Sequence, residues 1–361
     1  LYVVAPPIVT DKTKRFGHII VWGTFTLMFL LAIIQFLNTN EYITFGFKTW
    51  RPVLYAYILW ACAIGYSRVL IYGEKGKRTL FVFPAVMFIL SIVIFPMLFG
   101  LYISFTDWNL SSIDGREFNG LDNFYQMISD PYYWNALKNM IYYVLAVLVE
   151  FAIAFLLALL LNSQIRGRKF FRIAFLIPLM LSPVAVSWMV GKSMLEQRFG
   201  PVANLGRFLG WETPTFFSSP EIARLTMMCM DAWTFIPLMI IMLLAGLQAL
   251  PKEVLEAAKV DGANKWTMFK NIIFPIMLPV SLTTLVIRII FKLKLADIII
   301  IVTAGGPGGA TDSVTSFIVR EYRDRSNVGY GTLLSFVYLI LIIIFMTILI
   351  RFVNRWLQRA A

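Results

Sequence analysis

Eight apolar runs separated by short polar segments set the plan of the chain. They fall at roughly 17–37, 52–72, 79–104, 139–161, 171–193, 223–249, 276–303 and 332–350. Each is long enough for a helix to cross about 30 Å of hydrocarbon. A different pattern interrupts the series between Pro251 and Pro279, where a polar stretch with four lysines (Lys252, Lys259, Lys265, Lys270) separates two apolar runs. Its first half reads as a short helix through Glu256, Ala257 and Ala258. Gly262 breaks it, because glycine is poorly stabilised inside a helix and is the usual residue at a sharp reversal. From about Ala263 a second amphipathic stretch carries Trp266, Phe269, Ile272 and Ile273 at helical spacing. Pro275 is expected to close it at the membrane. The pattern predicts an all-α integral membrane protein of about eight transmembrane helices, with a helix–turn–helix shaped to press into another protein.

Composition agrees with the pattern. Of 361 residues, 59% are hydrophobic and 14% charged, whereas a soluble domain is about half apolar and a quarter charged. The net charge of +12 has a membrane explanation. Eighteen Lys and Arg residues fall in the segments on the side of the lysine-rich loop and ten on the other, which predicts both termini in the cytoplasm. Nucleic-acid binding would want a basic face on a soluble domain, and none is present. Cys62 and Cys229 lie in apolar runs, so no disulfide framework is expected. Leu1 is not an initiator methionine, and no cleavable leader is recognisable, since the first apolar run has the length of a span.

Most catalytic chemistry is excluded. His18 is the single histidine, which removes histidine-based metal sites and triads. Gly191-Lys192-Ser193 imitates the end of a phosphate loop, but Val186 stands where that loop needs its first glycine. This chain is therefore expected to be no enzyme and to hold no cofactor or metal. Its informative polar groups are ionisable residues inside apolar runs, which are costly in a bilayer and face a bundle interior or a wet path. Arg288 and Lys292 share a helix face, being four apart, and Lys294 and Asp297 are three apart. Two readings stand for them. They form internal pairs, Asp297 with Lys294 or Asp231 with Arg288, or they contact cargo. Lys292 has no acidic residue three or four positions away.

Glu256-Ala257-Ala258, Gly262 four positions on, and Ile272-x-Phe274-Pro275 resemble the EAA loop of permease subunits in bacterial binding-protein-dependent ABC importers. Phe274 stands where leucine is usual. From Thr79 onward the likeness to sugar-type, maltose-transporter-like permeases continues in Pro84, Pro96, Ser104-Phe105-Thr106-Asp107-Trp108, Gly120-Leu121-x-Asn123-Phe124, Leu176-x-Pro178 and Thr303-x-Gly305-Gly306-Pro307. The resemblance implies the type I importer permease fold, with residues 1–78 as a tail and two additional helices and 79–361 as a six-helix core. Its coupling loop would be 251–275. It implies a bacterial inner-membrane subunit that works with a homologous second permease, two copies of a cytoplasmic ATPase that binds ATP and Mg, and an outer solute-binding protein. Glu256, Ala257, Ala258, Asp261 and Gly262 would meet the ATPase.

The resemblance places a substrate path on Asp231, Thr234, Phe235, Leu238, Arg288, Phe291, Lys292 and Leu295. Arg288 and Lys292 stand where the maltose-type pattern has small or neutral polar groups. The sharper expectation is therefore an acidic oligosaccharide, such as an oligouronate of the alginate type, with these cations on its carboxylates. The alternative is a neutral sugar or sugar phosphate with the cations paired internally. A reading from another class, an ion-coupled secondary transporter, would use Glu150, Asp231 and Asp297 and call for related halves; no internal repeat is seen.

Overall fold

The computed structural model describes residues 9–39, 42–113, 115–163 and 166–360. Leu1 lies outside them, as does the side chain of Arg359. Among the described residues the chain forms helices and no strand, as the apolar pattern predicts. It divides into two compact units, Leu1–Gly100 and Leu101–Ala361. The boundary expected at residue 78 follows the start of the family likeness; packing divides the chain one span later.

In the first unit, helix α1 (Asp11–Thr39) runs antiparallel to α2 (Arg51–Tyr72). Gly17 near the start of α1 lets it approach the end of α2, where an added Cβ would lie 3.2 Å from Ile71 and Ser67. Phe25 and Trp60 fill the middle of the pair, their ring centroids 5.6 Å apart. Gln35 closes the connecting loop by bonding both the N–H and the carbonyl of Phe47. Gly73, with φ of +56°, turns α2 into α3 (Glu74–Ile103).

The second unit is built around α5. A short helix α4 (Asp122–Ser129) leads to Asp130, whose carboxylate accepts from the Tyr132 N–H and caps α5 (Pro131–Asn162). Such a cap satisfies one of the donors orphaned at a helix start. Along α5 the buried positions Tyr143, Val147, Glu150, Ala154, Ala158 and Leu161 recur every three or four residues and form one stripe. Next come α6 (Arg168–Met180) and α7 (Pro183–Met194), an apolar pair bent by 98°. Pro183 cannot donate to the ladder, so the expected span 171–193 breaks there. After α8 (Pro201–Phe208), the long α9 (Pro220–Gln248) packs on α5. The chain then forms α10 (Lys252–Val260), α11 (Lys265–Met268) and α12 (Phe274–Leu293). The last segments are α13 (Asp297–Val302), α14 (Val314–Val319) and α15 (Val328–Ala360).

Among the described residues six helices are long and apolar enough to cross a membrane, or seven if the bent pair counts as one span. The expected span 276–303 is not continuous: α12 stops at Leu293 and α13 begins at Asp297. The freed carbonyls find donors elsewhere. Thr315 and Tyr338 hydroxyls donate to the Leu293 carbonyl at 3.1 and 2.8 Å, and the Ser313 hydroxyl donates to that of Leu295. An apolar run shows where hydrocarbon is favourable, but not where side chains of later segments end a helix.

Candidate functional site

Two regions of the second unit carry the site residues. The first is the polar loop. Helix α10 presents Glu256 and Ala257 outward and buries Ala258 against the fold. Its end is tied by Asp261 N–H to the Ala257 carbonyl at 2.9 Å and Ala263 N–H to the Ala258 carbonyl at 2.9 Å. Between them Gly262 adopts φ of +78°, a left-handed conformation that favours glycine. Asn264 then caps α11, accepting from the Thr267 N–H at 2.8 Å. Val260 and Trp266 stay exposed on either side of the turn. The helix–turn–helix read from the pattern is therefore present, and it brings Glu256, Ala257, Asp261 and Gly262 onto the exposed loop.

Pro275 does not end the second arm. From α11 the backbone passes through a wide π turn, Phe269–Ile273, straight into α12. Pro275 therefore lies inside a continuous helix, where it cannot donate a helical bond, and the π widening just before it makes room for its ring. The arm is fixed by rings: Phe155 of α5 lies 5.8 Å from Phe269 and 6.2 Å from Phe274, and those two are 6.0 Å apart. Phe274, the departure from leucine, is thus a member of an aromatic cluster joining loop to span.

The second region lies where α5, α9 and α12 meet. Glu150, Asp231, Arg288 and Lys292 form a closed ionic quartet with almost no exposure. Arg288 Nε donates to Glu150 Oε2 at 2.7 Å, and Lys292 Nζ donates to Glu150 Oε1 at 2.8 Å. Both cations also donate to Asp231 Oδ2. Two positive and two negative groups cancel, and each carboxylate faces both cations. At about 1.5 Å rise per residue, Glu150 and Asp231 lie about 18 and 25 Å along their helices from the ends nearest the polar loop.

This arrangement answers the sequence expectations one by one. Asp231 pairs with Arg288, as the internal reading had it. Lys292 is not without a partner; Glu150, on a third helix, supplies it. Lys294 and Asp297 form no ion pair among the described residues, because the helix ends between them and their spacing of three no longer brings them together. Thr234 is buried and its hydroxyl donates to the Met230 carbonyl of its own helix. Leu295 is buried and Leu238 half-buried. Phe291 is 46% exposed and stacks on Phe235 at 5.7 Å between centroids. The Arg288 guanidinium lies 4.5 Å from the centroid of Phe235. Nearby, Trp233 is exposed and borders a groove of about 370 Å³ with Trp211, Phe216 and Met230.

A clasp at the opposite end from the polar loop went unread. The glycine-rich stretch after α13 is held by side chains of α5. Asn135 and Asn139 of α5 donate to the Gly309 carbonyl at 2.7 and 3.0 Å, Asn139 donates also to that of Asp312, and the Tyr143 hydroxyl donates to that of Thr311 at 2.7 Å. Arg320 and Ser316 both donate to the buried Asp312 carboxylate. Burial holds that carboxyl above the ordinary aspartate range in spite of the Arg320 charge beside it. Asn135, Asn139 and Tyr143 recur at spacings of four on one face of α5, a signal available in the sequence.

The fold is that of a multi-pass membrane protein with an exposed helix–turn–helix between α9 and α12. The chain belongs to the family of binding-protein-dependent transport system inner membrane components, whose model matches residues 1–360. It is a multi-pass inner-membrane sugar ABC importer permease, not an enzyme. It is 30% identical over 275 residues to the trehalose/maltose transport system permease protein MalF of Thermococcus litoralis, covering 76% of this chain and 92% of that one. It is likewise 30% identical over 273 residues to the sulfoquinovosyl glycerol transport system permease protein SmoG of Agrobacterium fabrum, covering 75% and 88%. Its fold is similar to a chain in the crystal structure of a bacterial alginate ABC transporter in complex with an alginate pentasaccharide-bound periplasmic protein. That match has a TM-score of 0.65 at 22% identity and covers 87% and 98% of the two chains.

Proposed function

We propose that the chain forms one half of the membrane pore of an oligosaccharide importer, with a homologous second permease as the other half. Two copies of a cytoplasmic ATPase, holding ATP and Mg, would dock on the loop of Glu256 and Gly262, and both termini would lie on that side. A solute-binding protein would deliver cargo from the other side. Residues 1–78 serve as an added helical pair and 79–361 as the core. Closing of the ATPase dimer pushes on α10 and α11, and the ring cluster at Phe155 carries the push into α5 and α12.

For the cargo, the observation that weighs most is charge closure at the quartet. The acidic-glycan reading needs Arg288 and Lys292 free for the sugar's carboxylates. Both instead face Glu150 and Asp231, so a charged cargo would have to displace buried carboxylates that each already pair with both cations. The exposed groups beside them are the aromatic faces of Phe291 and Trp233, which suit the apolar faces of sugar rings. A neutral oligosaccharide is the better match.

The test is ATP-driven uptake by the reconstituted importer with labelled neutral malto-oligosaccharide and labelled oligouronate of equal length. We expect uptake of the neutral sugar, reduced about tenfold, or about 1.4 kcal/mol, by Phe291→Ala. Uptake of oligouronate alone, lost in Lys292→Gln, would reinstate the acidic reading.

A further inference from the structure

A groove of about 210 Å³ opens between the ends of α5, α6 and α9. Its walls are apolar, with Leu161 from α5, Phe175 from α6, and Ile240 and Leu244 from α9. One wall residue is charged: Arg172, in the second turn of α6. Its Nε and Nη2 are shielded from solvent and have no hydrogen-bond partner among the described residues, and the same holds for Nε of Arg168 one turn before it. No carboxylate among the described residues forms an ion pair with either arginine. Arg166 and Lys169, on the same stretch of chain, are exposed.

A guanidinium held against apolar walls without an acceptor is unfavourable, since the desolvated charge is not compensated. Arg172 itself is half-buried; the fully buried Arg288 and Lys292 each have two carboxylate partners, and of their nitrogens only Nη1 of Arg288 is left without one. At Arg172 the described residues offer none, which points to an acceptor from outside the chain. Three features define that acceptor. It is anionic, because the groove's one charged wall residue is Arg172 and the stretch from Arg166 to Arg172 holds four basic residues and no acidic one. It has an apolar part, because the groove beyond the guanidinium is lined by Phe175, Ile240 and Leu244. It approaches within the membrane at the side of the polar loop, which the basic residues mark as cytoplasmic.

We infer that this groove holds an anionic phospholipid of the cytoplasmic leaflet, with its phosphodiester on Arg172 and Arg168 and its glycerol and first acyl carbons along Phe175 and Leu244. Arginine presents a planar fork that matches phosphate oxygens in pairs. Basic pockets between spanning helices on the cytoplasmic side are suited to acidic headgroups. The groove is too small for a whole lipid, so the acyl chains leave it past the exposed face of Ile241. Its wall comes from α9, the helix of Asp231, so occupancy would press on the ionic quartet's own scaffold.

The experiment is native mass spectrometry of the protein extracted with its copurifying subunits from mixed phosphatidylglycerol and phosphatidylcholine bilayers. Wild type is expected to retain phosphatidylglycerol about tenfold over phosphatidylcholine. Arg172→Gln should abolish that preference, Arg172→Lys should restore part of it, and Arg198→Gln in an exposed loop should leave it intact. Inorganic phosphate at millimolar concentration should not displace the lipid; displacement would assign the site to a free phosphate and overturn the proposal. Equal retention of both lipids by wild type, a reading that needs no variant, would also overturn it. So would loss of a copurifying membrane subunit in Arg172→Gln with lipid retention unchanged, since the groove would then be a subunit contact.

Discussion

Glu150 and Lys292 are 142 positions apart in the chain and 2.8 Å apart in the fold. With Asp231 and Arg288 they join three helices through charges that water does not reach. Buried ion pairs are poor sources of stability, because desolvation offsets most of the attraction, but removing one partner strands the rest. Lys292→Met and Glu150→Gln should therefore each destabilise the protein by about 3–5 kcal/mol. The double variant retains Arg288 with Asp231 as a neutral pair and should recover more than half of the summed loss. Urea unfolding of the four proteins in detergent measures this as a double-mutant cycle, and additive losses would contradict it.

Gly262 makes its contribution through backbone alone. A Cβ placed there meets nothing within 4 Å, while φ is +78°. Gly262→Ala should thus cost about 1–2 kcal/mol of turn formation, the penalty of a left-handed residue, without a steric clash. Asparagine tolerates this conformation better. We expect ATP-driven uptake and copurification of the ATPase to fall in Gly262→Ala and to recover in Gly262→Asn. Equal loss in both variants would mean that the absence of a side chain matters, and not the angle.

The ring cluster gives a way to separate docking from transmission. Phe155 touches both Phe269 and Phe274 from within α5. Phe155→Ala removes the shared ring, at a cost of about 3–5 kcal/mol, and leaves the exposed loop residues in place. ATP hydrolysis by the assembled complex should persist while uptake falls. Phe274→Leu, which keeps most of the volume, should lose only the ring geometry, about 0.5–1.5 kcal/mol, and most uptake should survive. Parallel loss of hydrolysis and uptake in Phe155→Ala would place the ring in docking instead.

Much of this architecture was legible because the bilayer imposes a coarse rule: long apolar runs become helices, and polar loops between them stay wet. The loop around Gly262 was legible for a second reason, since a glycine between two short amphipathic stretches has few other uses. The quartet was half legible. Asp231 with Arg288 was foreseen as a pair, but Glu150 lies on a helix whose sequence carries no hint of which span it faces. The break after Leu293 was hidden for a related reason. Its causes, Thr315, Ser313 and Tyr338, are later in the chain and act only after folding brings them to the freed carbonyls.

The segment around Asp312 should respond to pH with a definite sign. Its carboxyl, and that of Glu321, are raised by burial above their ordinary values of 3.8 and 4.5. A raised carboxylate favours the fold in its protonated form. That stabilisation is complete below the ordinary value and is lost as pH rises through the raised one. Hydrogen-exchange protection of residues 303–325, corrected for intrinsic rates, should therefore fall as pH is raised from the ordinary carboxylate values, and Asp312→Asn should flatten the dependence. A rise in protection over that range would contradict the assignment.

Asn139 holds this segment from the other side. One amide donates to two carbonyls, of Gly309 and of Asp312, each at 3.0 Å, and the residue is fully buried. Asn139→Asp keeps the shape but loses the donor, so the Asp312 carbonyl is left without this bond and meets a negative charge. Asn139→Leu loses the donor without adding charge. The leucine variant should cost about 1–3 kcal/mol, the penalty of stranding a buried polar group, and the aspartate variant more. Asn135→Ala should cost less than either, because Gly309 keeps its bond from Asn139. Cleavage of residues 303–313 by a protease added to the outer face of sealed vesicles would rank the three. The order Asp, Leu, Ala from fastest to slowest is expected; fastest cleavage in Asn135→Ala would show that the clasp closes through Asn135 instead.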